Sequence, residues 1–269
     1  MGSNIPRLYE DVLQGLVKLP LSQFAALTIE GPDRRAWLQG QLTQDVQALH
    51  PGAFARACIL TPTGQMTADV AIATDSERFF VLMESALKER VRERFHEFLI
   101  IEDVAINDCD EMFEWNPCTQ NGDFKGDSEA VSFCAKPPME PQAELFEILR
   151  IEQGVPMFAK DYDAKTLALE LGQKFVQSRI SFQKGCYVGQ EVVHRIYARG
   201  HTNRTWIGLR SENPMQPGDE VITGSGETAG RVTSAAVSPR LGPIARAMIK
   251  NQHLGQSLSV NGGPVFEIE

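Results

Sequence analysis

The 269-residue sequence contains no Cys-x-x-Cys pair, and its five cysteines (58, 109, 118, 134 and 186) are an odd, widely spaced set. A disulfide framework or a thiolate metal site calls for close, paired spacing, so neither is expected and no metal ligands are assigned. Free thiols in a reducing compartment are the expectation. Long apolar runs are also missing. Stretches such as Phe79-Phe80-Val81-Leu82-Met83 fall far short of the roughly 20 residues that span a bilayer. Residues 1–20 carry Arg7, Glu10, Asp11 and Lys18 with no continuous apolar segment, which leaves no secretory leader to read. A cytoplasmic location without a membrane partner follows as an expectation. Positive charge is scarce as well: 26 Lys and Arg face 35 Asp and Glu, a net charge of −9, which opposes direct nucleic-acid binding by the chain as a whole. The glycine-rich stretch Gly224-Ser225-Gly226-Glu227-Thr228-Ala229-Gly230 lacks the Lys-Ser/Thr of a phosphate loop and reads as a hairpin turn.

What is present is an ordinary globular composition, 42% hydrophobic and 23% charged, long enough for two or three compact units. Residues 5–18 read as a helix and Ala26–Ile29 as a strand, and Pro32 opens a helix holding Trp37 and Leu38. Residues 54–84 alternate as three strands, with turns at Thr61-Pro62-Thr63-Gly64 and Thr74-Asp75-Ser76-Glu77. Ser85 is placed to cap a helix on which Leu87, Val91, Phe95 and Phe98 recur at helical spacing, and Ile101–Ile106 returns as a strand. Residues 114–142, with four prolines, read as an irregular connection containing one strand at Val131–Cys134, before a helix over 142–152 that Gly154 ends. Residues 203–269 hold nine glycines, five prolines and brief β-rich pieces, the texture of a small barrel. The expected organisation is α+β: a body over 1–200 made of two subdomains, then a C-terminal β-barrel over 201–269.

The densest chemistry lies in Lys184-Gly185-Cys186-Tyr187-Val188-Gly189-Gln190-Glu191. Gly185 and Gly189 free the backbone for φ > 0 or close approach. A helix begins near Gly189, so Cys186 falls just before its N-terminus with Lys184 beside it. Both the dipole and the cation favour thiolate, which makes Cys186 the candidate reactive thiol. Residues 176–210 carry Arg179, Lys184, Arg195, Arg199, Arg204 and Arg210 against Glu191 alone, a surplus of five positive charges. That surplus is either a set of cations serving helix ends or an anion site.

Lys-Gly-Cys-Tyr-x-Gly-Gln-Glu followed by Arg195 resembles the signature of the YgfZ-type folate-binding proteins, relatives of the glycine-cleavage T-protein. Gly31-Pro32-Asp33-Arg34-Arg35-Ala36-Trp37-Leu38-Gln39-Gly40-Gln41-Leu42-Thr43-Gln44-Asp45-Val46 is similar to that family's N-terminal block, and Arg150-Ile151-Glu152-Gln153-Gly154-Val155-Pro156 to a second segment. With Gly208-Leu209 and the short strands beyond, the resemblance covers nearly the whole chain. It implies two α+β subdomains forming a folate site, followed by a small barrel. It implies tetrahydrofolate, or a one-carbon-substituted folate, as the ligand. It also implies a role supporting iron–sulfur cluster assembly or repair, with iron–sulfur proteins or cluster-assembly factors as partners and tRNA modification as a consequence.

By that resemblance Glu152 faces the pterin ring; a carboxylate accepts paired hydrogen bonds from an amino-pyrimidine edge. On its residues alone it could equally be a surface carboxylate. T-proteins carry paired aspartates where this chain has Ala68-Asp69, and a methyl group at 68 can neither orient an amine nor shuttle a proton. Aminomethyl transfer is therefore the alternative rather than the leading function, and Asp69 is either structural or a ligand contact. Tyr187 is read as packing or as a ligand contact. Gln190 and Glu191 serve a helix N-terminus or the ligand. Arg195 either pairs with Glu191 one turn away or binds the anionic glutamate tail of folate.

Overall fold

A computed structural model of the chain describes residues 5–115, 131–134, 142–200 and 202–268. They form two compact units that interleave along the sequence. One comprises Met1–Tyr9, Ala143–Val176 and Arg195–Glu269; the other comprises Glu10–Gln142 and Gln177–His194. Among the described residues, no helix is long and apolar enough to cross a membrane.

The second unit is organised by an antiparallel sheet of five strands. These are β2 (Phe24–Glu30), β3 (Phe54–Leu60), β4 (Met66–Thr74), β5 (Phe79–Glu84) and β6 (Ala105–Cys109), in the order β3-β4-β5-β2-β6. The run Phe79-Phe80-Val81-Leu82-Met83 becomes a central strand because β-branched, aromatic and long apolar side chains can be buried on both faces of β5. Helix α2 (Arg34–Gln41) meets helix α3 (Lys88–Glu97) through Trp37, whose ring meets Phe95 edge-on at 5.2 Å and whose indole N–H donates to the Phe98 carbonyl at 3.0 Å. The α3 face predicted from spacing is the one buried, with Val91 and Phe95 both fully inaccessible. A small sheet of β1 (Leu19–Pro20), β7 (Met112–Trp115) and β8 (Val131–Cys134) completes this unit's β-structure.

In the first unit, α4 (Ala143–Gln153) accompanies a closed six-stranded barrel of β9 (Arg204–Ser211), β10 (Glu220–Thr223), β11 (Thr228–Ser238), β12 (Gly242–Lys250), β13 (Leu258–Val260) and β14 (Gly263–Ile268). Small residues such as Ala229, Ala245 and Ala247 fill its interior beside Leu209, Val221 and Ile249. The glycine-rich stretch at 224–230 is the β10–β11 hairpin, closed by the Thr223 N–H on the Glu227 carbonyl at 2.9 Å. Arg150, wholly buried, ties α4 to the barrel: it pairs with Asp161 at 2.7 Å and donates to the Ser234 hydroxyl of β11 at 2.7 Å. Two more helices lie in the chain, α5 (Gln173–Arg179) and α6 (Gln190–Arg199), with α1 (Ile5–Leu13) near the start.

Local details depart from the sequence expectations. Helix α1 stops at Leu13 rather than reaching residue 18. Pro32 precedes the N-cap residue Asp33 instead of opening α2. Ser85 begins a single 3₁₀ turn and α3 starts at Lys88, with no side-chain cap. The strand expected over Ile101–Ile106 begins only at Ala105. The cause is Glu102, whose carboxylate accepts the N–H groups of Ile100 and Ile101 at 3.1 and 3.0 Å and so turns the chain there. Most of the expected 114–142 connection lies outside the described residues.

Candidate functional site

The expected site residues are divided between the two units: Glu152 and Arg195 belong to the first, and Asp69, Lys184, Cys186, Tyr187, Gln190 and Glu191 to the second.

Glu152 lies in the last turn of α4. Its side chain is only 3% exposed, so it is not a plain surface carboxylate. The Tyr9 hydroxyl bridges both carboxylate oxygens, and Arg240, from the β11–β12 turn, approaches at 3.6 Å. Burial, then the neighbouring carboxylate, pushes the Tyr9 phenol up to about 12, so it stays a donor. Arg246, on β12, fixes the helix end by donating to the Ile151 carbonyl at 2.8 Å and the Glu152 carbonyl at 3.1 Å. These are carbonyls that a helix C-terminus leaves unsatisfied. Gly154 then leaves the helix at φ +66, and a Cβ there would stand 3.1 Å from the Arg246 guanidinium. Three elements distant in sequence thus hold one carboxylate. Neither Tyr9, Arg240 nor Arg246 was singled out from the sequence, because none carries a local motif.

Asp69, on β4, is buried between two guanidiniums. Arg179 engages it with two bonds of 3.1 and 3.2 Å, and Arg56, on β3, with one of 2.9 Å. Burial and the proximity of Arg179 both lower the Arg56 pKa, while Asp69 offsets them. Ala68 is fully buried opposite Ile59 in the β3–β4 ladder. Asp69 therefore serves as the counter-ion of an internal arginine pair.

The segment from Arg179 to Gln190 is stitched to the end of α2. The Lys184 ammonium donates to the carbonyls of Gln39, Leu42 and Gln44 at 2.6, 2.6 and 3.0 Å, which uses all three of its hydrogens. The Val188 N–H donates to the Gly40 carbonyl at 3.1 Å, and the Ser181 N–H to Thr43 at 3.0 Å. Lys184 thus caps the C-terminus of α2; burial lowers its pKa to about 8. Cys186 is exposed on the span between these anchors, whereas Cys58 is buried and Cys109 half-buried. Burial pushes the Cys58 thiol up, which makes it inert. The two glycines of the motif differ. Gly189 has φ +86, and a Cβ there would lie 2.6 Å from the Thr61 carbonyl; Gly185 has a negative φ, and nothing would meet its Cβ within 4 Å.

Tyr187 is 6% exposed, with its ring 5.2 Å from the Lys184 ammonium and its hydroxyl buried without a hydrogen-bond partner among the described residues. Gln190 opens α6, its N–H on the Tyr187 carbonyl at 3.2 Å. Glu191 and Arg195 are both exposed and make no ion pair among the described residues, so the intrahelical pair is not formed. The basic run of 176–210 is largely consumed internally: Arg179 by Asp69, Lys184 by carbonyls, and Arg204 by Glu170 at 3.0 Å. Arg195 and Arg210 remain exposed. No cluster of potential metal ligands occurs among the described residues.

Comparison with known proteins places this geometry. The glycine cleavage T-protein C-terminal barrel domain family matches residues 204–263, within the observed barrel. The tRNA-modifying protein YgfZ of Pectobacterium atrosepticum is 23% identical over 265 residues, covering 83% of this chain and 79% of that protein. An aminomethyltransferase of Rubrobacter xylanophilus is 25% identical over 275 residues, covering 82% of this chain and 72% of its own. Among solved structures, the glycine cleavage system aminomethyltransferase T from Bartonella henselae matches the fold with a TM-score of 0.71 at 13% identity, over 96% of this chain and 88% of that one.

Proposed function

Because the chain is a YgfZ-type member of the glycine-cleavage T-protein superfamily, we propose that it binds a reduced folate and acts as an accessory protein of iron–sulfur cluster assembly or repair. Enzymes of tRNA modification that need such clusters would depend on it indirectly, and its partners would be iron–sulfur proteins or their assembly factors. The ligand would be tetrahydrofolate or a one-carbon-substituted form.

The observation that carries this reading is the Glu152 carboxylate. It is removed from bulk water and held by Tyr9, Arg240 and the Arg246 cap, so its direction is set before any ligand arrives. A carboxylate has about four lone-pair sites. The bridging Tyr9 hydroxyl takes one from each oxygen, and the rest suit the adjacent N–H donors of an amino-pyrimidine edge. A bound reduced folate would supply one-carbon or reducing chemistry. Glu152 would orient its pterin ring within the first unit, and Cys186, exposed on a loop of the second unit anchored by Lys184, would be the reactive thiol. Gln190 and Glu191, in the first turn of α6, and Arg195, further along it, are proposed as ligand contacts on the strength of the resemblance, with the anionic glutamate tail assigned to Arg195.

The second reading, folate-dependent aminomethyl transfer, is favoured by the Rubrobacter relative. Against it stand the methyl group of Ala68 and the engagement of Asp69 by two arginines. Native mass spectrometry of the freshly purified full chain tests the leading reading. A folate-sized ligand should accompany the protein and be absent from the Glu152→Ala variant. A chain that carries none and takes up none on addition of tetrahydrofolate overturns it.

A further inference from the structure

Strand β6 ends the five-stranded sheet and pairs, among the described residues, with β2 alone. Its Ala105, Asn107 and Asp108 are exposed, and among the described residues no backbone hydrogen bond outside the sheet involves residues 105–109. Half of its N–H and C=O groups therefore point away from β2 with no partner among the described residues, the template to which another strand adds. The usual guards are missing: β6 has no proline or lysine, and its register against β2 runs without a bulge. Its one charged residue, Asp108, is taken by Lys88 and Arg92 of α3, at 2.7 and 2.5 Å.

The turn leading into β6 adds a second feature. Ile100 and Ile101 are 82% and 90% exposed, the most exposed large apolar side chains among the described residues. They are fixed in place by Glu102, which accepts both of their N–H groups, and by the Asp103 N–H on the Asp33 carboxylate at 2.8 Å. Ordering entropy is thus spent in folding and not again on binding. Asp33, Glu102 and Asp103 have no cation partner among the described residues. The adjacent Arg34 donates to the carbonyls of Gly31 and Ser76 instead. The backbone N–H of Ile100, foremost, holds the Glu102 carboxyl below its usual range, so it is charged at neutral pH. A second copy of this chain would bring acid against acid at this corner.

We propose that the β6 edge and the Ile100–Ile101 corner form a docking surface for an extended, basic segment of a partner protein. The segment adds as a sixth strand, sets an apolar side chain on the two isoleucines, and directs lysine or arginine toward Asp33, Glu102 and Asp103. The charge of the corner selects the sign, and the open edge selects the conformation.

The test uses the full-length protein and two nine-residue peptides, one alternating valine with lysine and one alternating valine with glutamate. Affinity is measured by fluorescence anisotropy, and contact is mapped by amide hydrogen exchange. The lysine peptide should bind at least about tenfold more tightly than the glutamate peptide, and it should slow exchange within Ala105–Cys109. The surface variant I100S/I101S should weaken it by about tenfold, a change of ~1.4 kcal/mol, with the far-ultraviolet spectrum unchanged. Equal binding of both peptides, protection mapped elsewhere, or a dimer in sedimentation that hides β6 from exchange would each overturn the proposal.

Discussion

The Tyr9 hydroxyl donates to both oxygens of the Glu152 carboxylate, at 2.9 and 3.0 Å, across 143 positions of sequence. Removing it leaves a carboxylate that is 3% exposed with, among the described residues, only Arg240, 3.6 Å away, to compensate. Tyr9→Phe should therefore lower stability by about 1–3 kcal/mol, read from the urea midpoint at constant slope. A midpoint equal to that of the parent protein would show that the bond carries no stability.

Asp69 stands between Arg56 and Arg179, with the Arg179 side chain 6% exposed. Taking the carboxylate away strands buried positive charge, so Asp69→Ala should cost about 3–5 kcal/mol, measured by the same denaturation. A ligand contact with no structural duty would instead lose affinity and keep its stability.

The motif glycines make opposite predictions. Gly189→Ala places a Cβ 2.6 Å from the Thr61 carbonyl at φ +86. The backbone conformation alone costs about 1–2 kcal/mol, and the contact adds to it. Gly185→Ala meets nothing within 4 Å and should change stability by less than about 0.5 kcal/mol. Thermal unfolding of the two variants side by side separates them, and a reversed order would contradict the loop geometry.

Lys184 predicts a pH dependence. Its folded pKa, about 8, lies below the ordinary 10.5, so between these values the unfolded chain binds the extra proton and stability rises with pH. From pH 7.5 to 9.5 this group should add about 2 kcal/mol to the parent protein. Lys184→Met should lack that increment, although it loses stability overall because three carbonyls go unpaired. Parallel urea curves at the two pH values check this; an identical increment in both proteins rules it out.

Much of the fold is legible because its causes are local. The β5 run, the helical spacing of Val91 and Phe95, and the glycine-punctuated strands after residue 203 each declare an element within a dozen residues. Ile101 misleads because its side chain suggests burial, while the neighbouring Glu102 carboxylate turns the chain and leaves it 90% exposed. The site is less legible because its partners are remote. The acceptors of Lys184 are backbone carbonyls 140–145 positions earlier, which leave no mark on residue type. Arg179 reads as one cation in a basic run, yet its partner lies 110 positions away on β4. Cys186 could be placed on a loop from sequence; that its neighbouring lysine is fully occupied could not.

Isothermal titration of tetrahydrofolate into the parent protein and into Glu152→Gln is the decisive measurement. The substitution keeps shape but removes the charge and replaces one acceptor with a donor. Saturable binding by the parent protein, weakened by about tenfold or more in the variant at equal stability, is the result expected of a pterin held by this carboxylate. Binding of equal strength in both proteins, or none in either, would contradict it.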